Sequence, residues 1–75
     1  MPFIHMYAYS GRDVETQQKV AEAVVKAASE VMGAPETAFT VVYEEFGRET
    51  WEENVQKPIL DPLSDKIIYK GGKIV

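Results

Sequence analysis

Between Val14 and Met32 apolar side chains return at helical spacing: Val20, Val24, Ala27 and Val31 form a stripe that Ala21, Val25, Ala28 and Met32 broaden. Gln17, Lys19, Glu22, Lys26 and Glu30 make the opposite, wet face. Asp13 stands where a carboxylate can accept from the free N–H groups of a first turn, and Glu15 complements the positive end of the helix dipole. Gly33 ends the pattern and Pro35 follows where a helix cannot continue. On either side lie segments of strand composition. Residues 2–9, PFIHMYAY, are aromatic, β-branched and almost uncharged, as suits a strand covered on both faces, with Phe3, His5, Tyr7 and Tyr9 on one face and Pro2, Ile4, Met6 and Ala8 on the other. Residues 38–46, AFTVVYEEF, form the second. One long helix between two strands is a β-α-β unit, so the strands are expected to be parallel and the crossover right-handed. This α/β (α+β) arrangement leaves a face and two edges of the sheet uncovered, which further copies of the chain would have to complete.

Size points the same way. The 75 residues suffice for a single domain, 1–75, with a core over about 2–53 and a C-terminal extension over 54–75. So small a domain needs a staple, and with no cysteine and a single histidine, His5, neither disulfides nor a structural zinc site is expected. Self-association remains. The net charge of −4 and the scattered Lys and Arg exclude a basic stripe for nucleic acid. No apolar run reaches the roughly 20 residues a bilayer requires. The opening MPFIHMYAYSGRD lacks the basic and apolar regions of a secretory signal, so a cytoplasmic location is expected. Repeats and low-complexity segments are absent.

The last third reads less simply. Trp51 to Gln56 suits a helical turn, and Asp61-Pro62 suits the N-cap and first position of a short helix running towards Lys70. Against this, IIYK-GG-KIV places apolar runs around Gly71-Gly72, a hairpin pattern. The expectation taken here is a helical tail ending near Gly71. Lys66, Lys70 and Lys73 are most simply a solvated face.

Pro2 carries the strongest chemical signal. An initiator methionine is readily removed before proline, which would leave a free secondary amine. An ordinary α-amino group titrates near ~8 and a proline amine is intrinsically more basic. At the start of a buried strand, desolvation and a nearby cation would lower that value and make the amine a general base at neutral pH. The plainer reading is a tolerated second residue.

Order and spacing enlarge the signal. Met1-Pro2 opens a strand, Gly11-Arg12 follows it, and the long helix ends in Gly33-Ala34-Pro35. The second strand then carries Glu44-Glu45, ahead of Arg48-Glu49-Thr50-Trp51. Over roughly residues 1–53 this resembles the 4-oxalocrotonate tautomerase family of the tautomerase superfamily. The resemblance implies a cofactor-free, metal-free isomerase moving a proton between carbon and oxygen of a 2-keto acid or its enol. Pro2 would be the base, and Arg12 would hold a substrate carboxylate with its planar fork. Trp51 would form an apolar wall beside the proline; ordinary packing would also explain it.

Two departures qualify the implied chemistry. Where the best-known members carry a second arginine in strand two, this chain has Thr40, and Arg48 is the candidate to supply the missing charge. A substrate with one carboxylate and an apolar or aromatic end, such as phenylenolpyruvate, therefore fits better than a dicarboxylate. The tail is longer than in the short, hexameric members and resembles an extended subgroup, some of it dimeric, so a homo-oligomer is expected, with a dimer favoured over a hexamer. Glu53 lies near the glutamate with which related hydratases and dehalogenases activate water, although Glu52 and Glu53 in a first helical turn have sufficient structural reason. His5, on the face opposite Pro2, reads as a packed or hydrogen-bonded histidine. A non-catalytic module that binds a small carboxylate or a protein partner is the alternative function.

Overall fold

A computed structural model describes all of the chain, Met1–Val75, as two compact units, Met1–Glu45 and Phe46–Val75. In the first, β1 (Phe3–Tyr9) leads into α1 (Val14–Met32), a 3-10 turn (Glu36–Ala38) and β2 (Thr40–Phe46). β1 and β2 pair in a two-stranded sheet. The Thr40 N–H donates to the Pro2 carbonyl where both strands begin, and His5 meets Glu44 further along both, so the strands run parallel. The expected β-α-β unit is therefore formed.

The ends of α1 fall where the side-chain chemistry puts them. Asp13 accepts from the Thr16 N–H at 2.8 Å, which holds its carboxyl below the ordinary carboxylate range. Gly33 adopts φ 71°, in the left-handed region, and its N–H closes on the Ser29 carbonyl. Glu15 and Lys19 pair along the exposed surface at 3.3 Å. The inward face is shifted slightly from the expected stripe. Val20, Ala21, Val24, Val25 and Ala28 are half-buried, whereas Ala27 is exposed and Val31 is 90% exposed. Gln17, expected on the wet face, is half-buried because its side-chain amide donates to the Arg12 carbonyl. β2 begins at Thr40 and not at Ala38, since the N–H groups of Ala38 and Phe39 close back on Pro35 and Glu36.

Burial alternates along both strands. Ile4, Met6, Ala8, Val41, Tyr43 and Glu45 are half-buried, and Phe3, His5, Tyr9, Thr40, Val42 and Glu44 are exposed. β1 was expected to be covered on both faces, but within one chain only one is, because a single crossover helix lies on one side of a sheet. Tyr7 departs from the alternation and is half-buried, its ring stacked on His5 at 4.3 Å.

The second unit runs α2 (Arg48–Trp51), a π-helical stretch (Glu52–Leu60) and a 3-10 stretch (Asp61–Lys66). Pro58 lies inside the π-helical part, where it has no N–H to donate and crowds the carbonyl four residues before it; a wider turn relieves that crowding. Val55, 3% exposed, is the one buried residue of the chain. Asp61 does not cap a new helix as expected. Its N–H bonds to the Gln56 carbonyl and its carboxylate accepts from the Gln56 side chain at 2.7 Å, which continues the preceding stretch. The helical tail ends at Lys66 and not near Gly71. β3 (Tyr69–Lys70) and β4 (Lys73–Ile74) form an antiparallel hairpin with Tyr69 opposite Ile74. Gly71 and Gly72, at φ 62° and 89°, supply the two left-handed positions that such a two-residue turn demands. No helix of the chain is long and apolar enough to cross a membrane.

Gly33 takes a backbone conformation that costs an L-residue about 1 kcal/mol or more. Gly33→Ala should therefore lower the urea midpoint by the equivalent of about 1 kcal/mol at fixed protein concentration, and Gly33→Asn by less.

Candidate active site

Pro2 lies just ahead of β1 and is half-buried. Its carbonyl is held by the Thr40 N–H at 3.1 Å, so the two residues sit side by side at the start of the sheet. Met1 ahead of it is fully exposed. While that peptide bond persists the Pro2 nitrogen is an amide without a basic lone pair. Removing Met1 would expose an amine anchored by its own carbonyl.

Arg12 lies beyond the other end of β1, in the turn into α1. Its Nη1 donates both to the Tyr9 carbonyl at 3.0 Å and to Glu45 Oε2 at 3.3 Å. Glu45 comes from β2 on the half-buried face, and its side chain is only 10% exposed. It receives four donors. Oε1 takes the backbone N–H groups of Gly11 and Arg12 at 3.1 and 3.3 Å, while Oε2 takes the Tyr43 hydroxyl at 2.6 Å and the guanidinium. Gly11, at φ 140°, bends the backbone so that two successive N–H groups converge on one oxygen. The Tyr43 hydroxyl, the two N–H groups and the guanidinium hold the Glu45 carboxyl below the ordinary range against the opposing effect of desolvation. The same bonds push the Arg12 and Tyr43 values up, in each case chiefly through Glu45.

The remaining candidates divide between the units. Arg48, exposed, opens α2, and Trp51, half-buried, closes it. Glu52 and Glu53 are exposed in the first turn of the π-helical stretch. His5 is hydrogen-bonded as expected: Nε2 meets Glu44 Oε2 at 2.6 Å, and its ring stacks on Tyr7. No group of three or more His, Cys, Asp or Glu side chains is assembled to hold a metal. Within the first unit, Pro2 is brought to Thr40 but not to Arg12. β1 spans seven residues, whose six steps of about 3.3 Å separate its two ends by roughly 20 Å. Sequence reasoning overlooked Glu45 and Tyr43 as partners of Arg12. The available signal was alternation in β2, which puts a carboxylate and a phenol together on the apolar face.

The depressed Glu45 and Asp13 values set a direction for acid stability. Each contributes fully above the ordinary carboxylate range, and the contribution is lost as pH falls through the depressed folded-state value. Urea midpoints measured from neutral to acid pH should therefore decline, and Glu45→Gln should start lower and decline less steeply.

Comparison with known proteins bears on this arrangement. No curated protein matches the chain. A family model described as "Tautomerase enzyme" matches residues 2–52, more than half of its length and inclusive of Pro2, Arg12, Glu45 and Trp51. With the parallel β-α-β unit, that match identifies the chain as a member of the tautomerase family.

Proposed function

We propose that the chain is a cofactor-free keto–enol tautomerase whose base is the Pro2 amine and whose site is shared between two copies. The observation that carries this reading is the placement of its two candidate groups. A half-buried proline opens β1, and an arginine with donors to spare is held beyond its far end. A small 2-keto acid cannot bridge roughly 20 Å, so Pro2 and Arg12 of one chain cannot act on the same molecule. Pro2 of one copy and Arg12 of another can. The exposed surface supports self-association. Within the first unit, one face of the β1–β2 sheet leaves Phe3, Tyr9 and Val42 exposed, apolar surface that a second copy would cover. A dimer is the smallest assembly that meets this requirement.

In the reaction, the neutral Pro2 amine takes the hydroxyl proton of the enol and returns a proton to the neighbouring carbon, so that the enol becomes the ketone and the amine is regenerated. Partial burial disfavours the charged amine and supports a base that is neutral near physiological pH. Arg12 would hold the carboxylate, and its charge would stabilise the enolate-like transition state. The family resemblance assigns Trp51 to the apolar wall that excludes water from such a site. Thr40, beside Pro2, offers no second cation, which favours a substrate with one carboxylate and an apolar or aromatic end, with Arg48 as the reserve charge.

Ketonisation of phenylenolpyruvate, followed by ultraviolet absorbance on mass-verified protein lacking Met1, should exceed the buffer rate. It should fall at least tenfold in Pro2→Ala, less than the roughly 10²–10⁴-fold of losing a general base outright, because a primary amine remains in its place. Pro2→Ala and Arg12→Ala proteins, each impaired, should recover roughly a quarter of the wild-type rate when unfolded together and refolded as a mixture, because random pairing leaves that share of sites intact. Without recovery on mixing, the shared site is wrong. A rate indifferent to Pro2 would shift the function to a non-catalytic carboxylate-binding module.

A further inference from the structure

Glu45 uses its two oxygens for different work. Oε1 receives only backbone N–H groups, those of Gly11 and Arg12, and so holds the turn. Oε2 receives only side chains, the Arg12 guanidinium and the Tyr43 hydroxyl. On the arginine, both hydrogens of Nη1 are engaged, one by Glu45 and one by the Tyr9 carbonyl. That leaves the Nε and Nη2 edge, whose two parallel N–H groups match the two oxygens of a carboxylate. The side chain as a whole is about half exposed.

From this division of contacts we infer that Glu45, seconded by Tyr43, is the positioning residue that presents the Nε–Nη2 edge of Arg12 to the substrate carboxylate. The inference rests on the tautomerase reading above for the identity of the ligand. It does not depend on Pro2 as base.

An arginine on an exposed turn explores many rotamers and would lose that freedom on binding; here the loss is already incurred in folding. A carboxylate beside a guanidinium also competes with the substrate for it. The Tyr43 hydroxyl offsets that competition, because its 2.6 Å bond draws on the same Oε2 that approaches Arg12 at the longer 3.3 Å. More of the guanidinium charge therefore remains for an outside anion. Finally, Glu45 is anchored on β2 and mostly shielded from water, so its own orientation is set by the sheet and not by a mobile loop.

The test exploits the two oxygens. In Glu45→Gln the amide oxygen can still accept from Gly11 and Arg12, but the amide NH₂ faces the guanidinium and cannot accept from it. On Met1-free protein, KM for phenylenolpyruvate should rise about tenfold with kcat changed less than about threefold, as expected when a binding interaction is lost. Tyr43→Phe, which leaves the turn bonds intact, should raise KM in the same direction by less. In an Arg12→Ala background Glu45→Gln should have no further effect on KM, because the residue acts only through the arginine. Affinity for 3-phenylpropanoate, a carboxylate that cannot tautomerise, should follow the same non-additive pattern by calorimetry. A folded Glu45→Gln enzyme with wild-type KM, or independent effects of Glu45 and Arg12 in the cycle, would overturn the assignment. If Glu45→Gln does not fold, an unchanged KM in Tyr43→Phe overturns it equally. Should the non-additive pattern hold for 3-phenylpropanoate while turnover is indifferent to Pro2, the positioning role stands and the proline-base reading falls.

Discussion

The carboxylate of Glu45 ties β2 to the turn between β1 and α1, and much of the first unit's local order follows from that tie. A strand, a turn and a helix meet there, and each presents polar groups that need partners. Two backbone N–H groups of the turn, a guanidinium and a phenol converge on one side chain that is largely removed from water. A carboxylate so placed would be unfavourable without those donors, and with them it becomes a joint. Directly beyond it, Asp13 caps α1, and Gln17 reaches back to the Arg12 carbonyl, so the turn and the first turn of the helix are tied together. The arginine expected to meet substrate is thus also part of the structure that begins the helix.

The weakness of the chain lies elsewhere, in how little it buries. One residue is buried in the whole chain, and one face of the β1–β2 sheet carries exposed Phe3, Tyr9 and Val42. Hydrophobic burial is the dominant favourable term in folding, and a domain of this size has little of it alone. Self-association would answer a question of stability and, on the proposed reading, one of chemistry. The strand that keeps Pro2 and Arg12 apart within one chain is the element whose exposed face a second copy could cover.

How legible these features were depended on their range. The helix was readable to its ends because its signals are local: Asp13 and Gly33 act within one turn of themselves. The parallel pairing followed from connectivity, since a long helix between strands leaves little other choice. The tail is less legible because Gly71-Gly72 and the helix-compatible residues before it compete. The glycines prevailed only from Tyr69 onward, where their left-handed conformations close the hairpin. The π-helical widening around Pro58 and the inward turn of Gln17 were not visible, because each depends on which neighbours the fold provides.

Sequence alone thus determined the order of elements, the extent of α1, the direction of the strands and the residues that could carry proton transfer. These rest on periodicity, capping and chain connectivity, all of which act over short separations. Tertiary structure decided what those residues face. It set Pro2 and Thr40 together, kept Arg12 a strand's length away, and gave the arginine a carboxylate from a residue 33 positions later. Alternation in β2 says which way Glu45 points, but only the register between strands says what it meets, and register is fixed by the packing of the whole sheet.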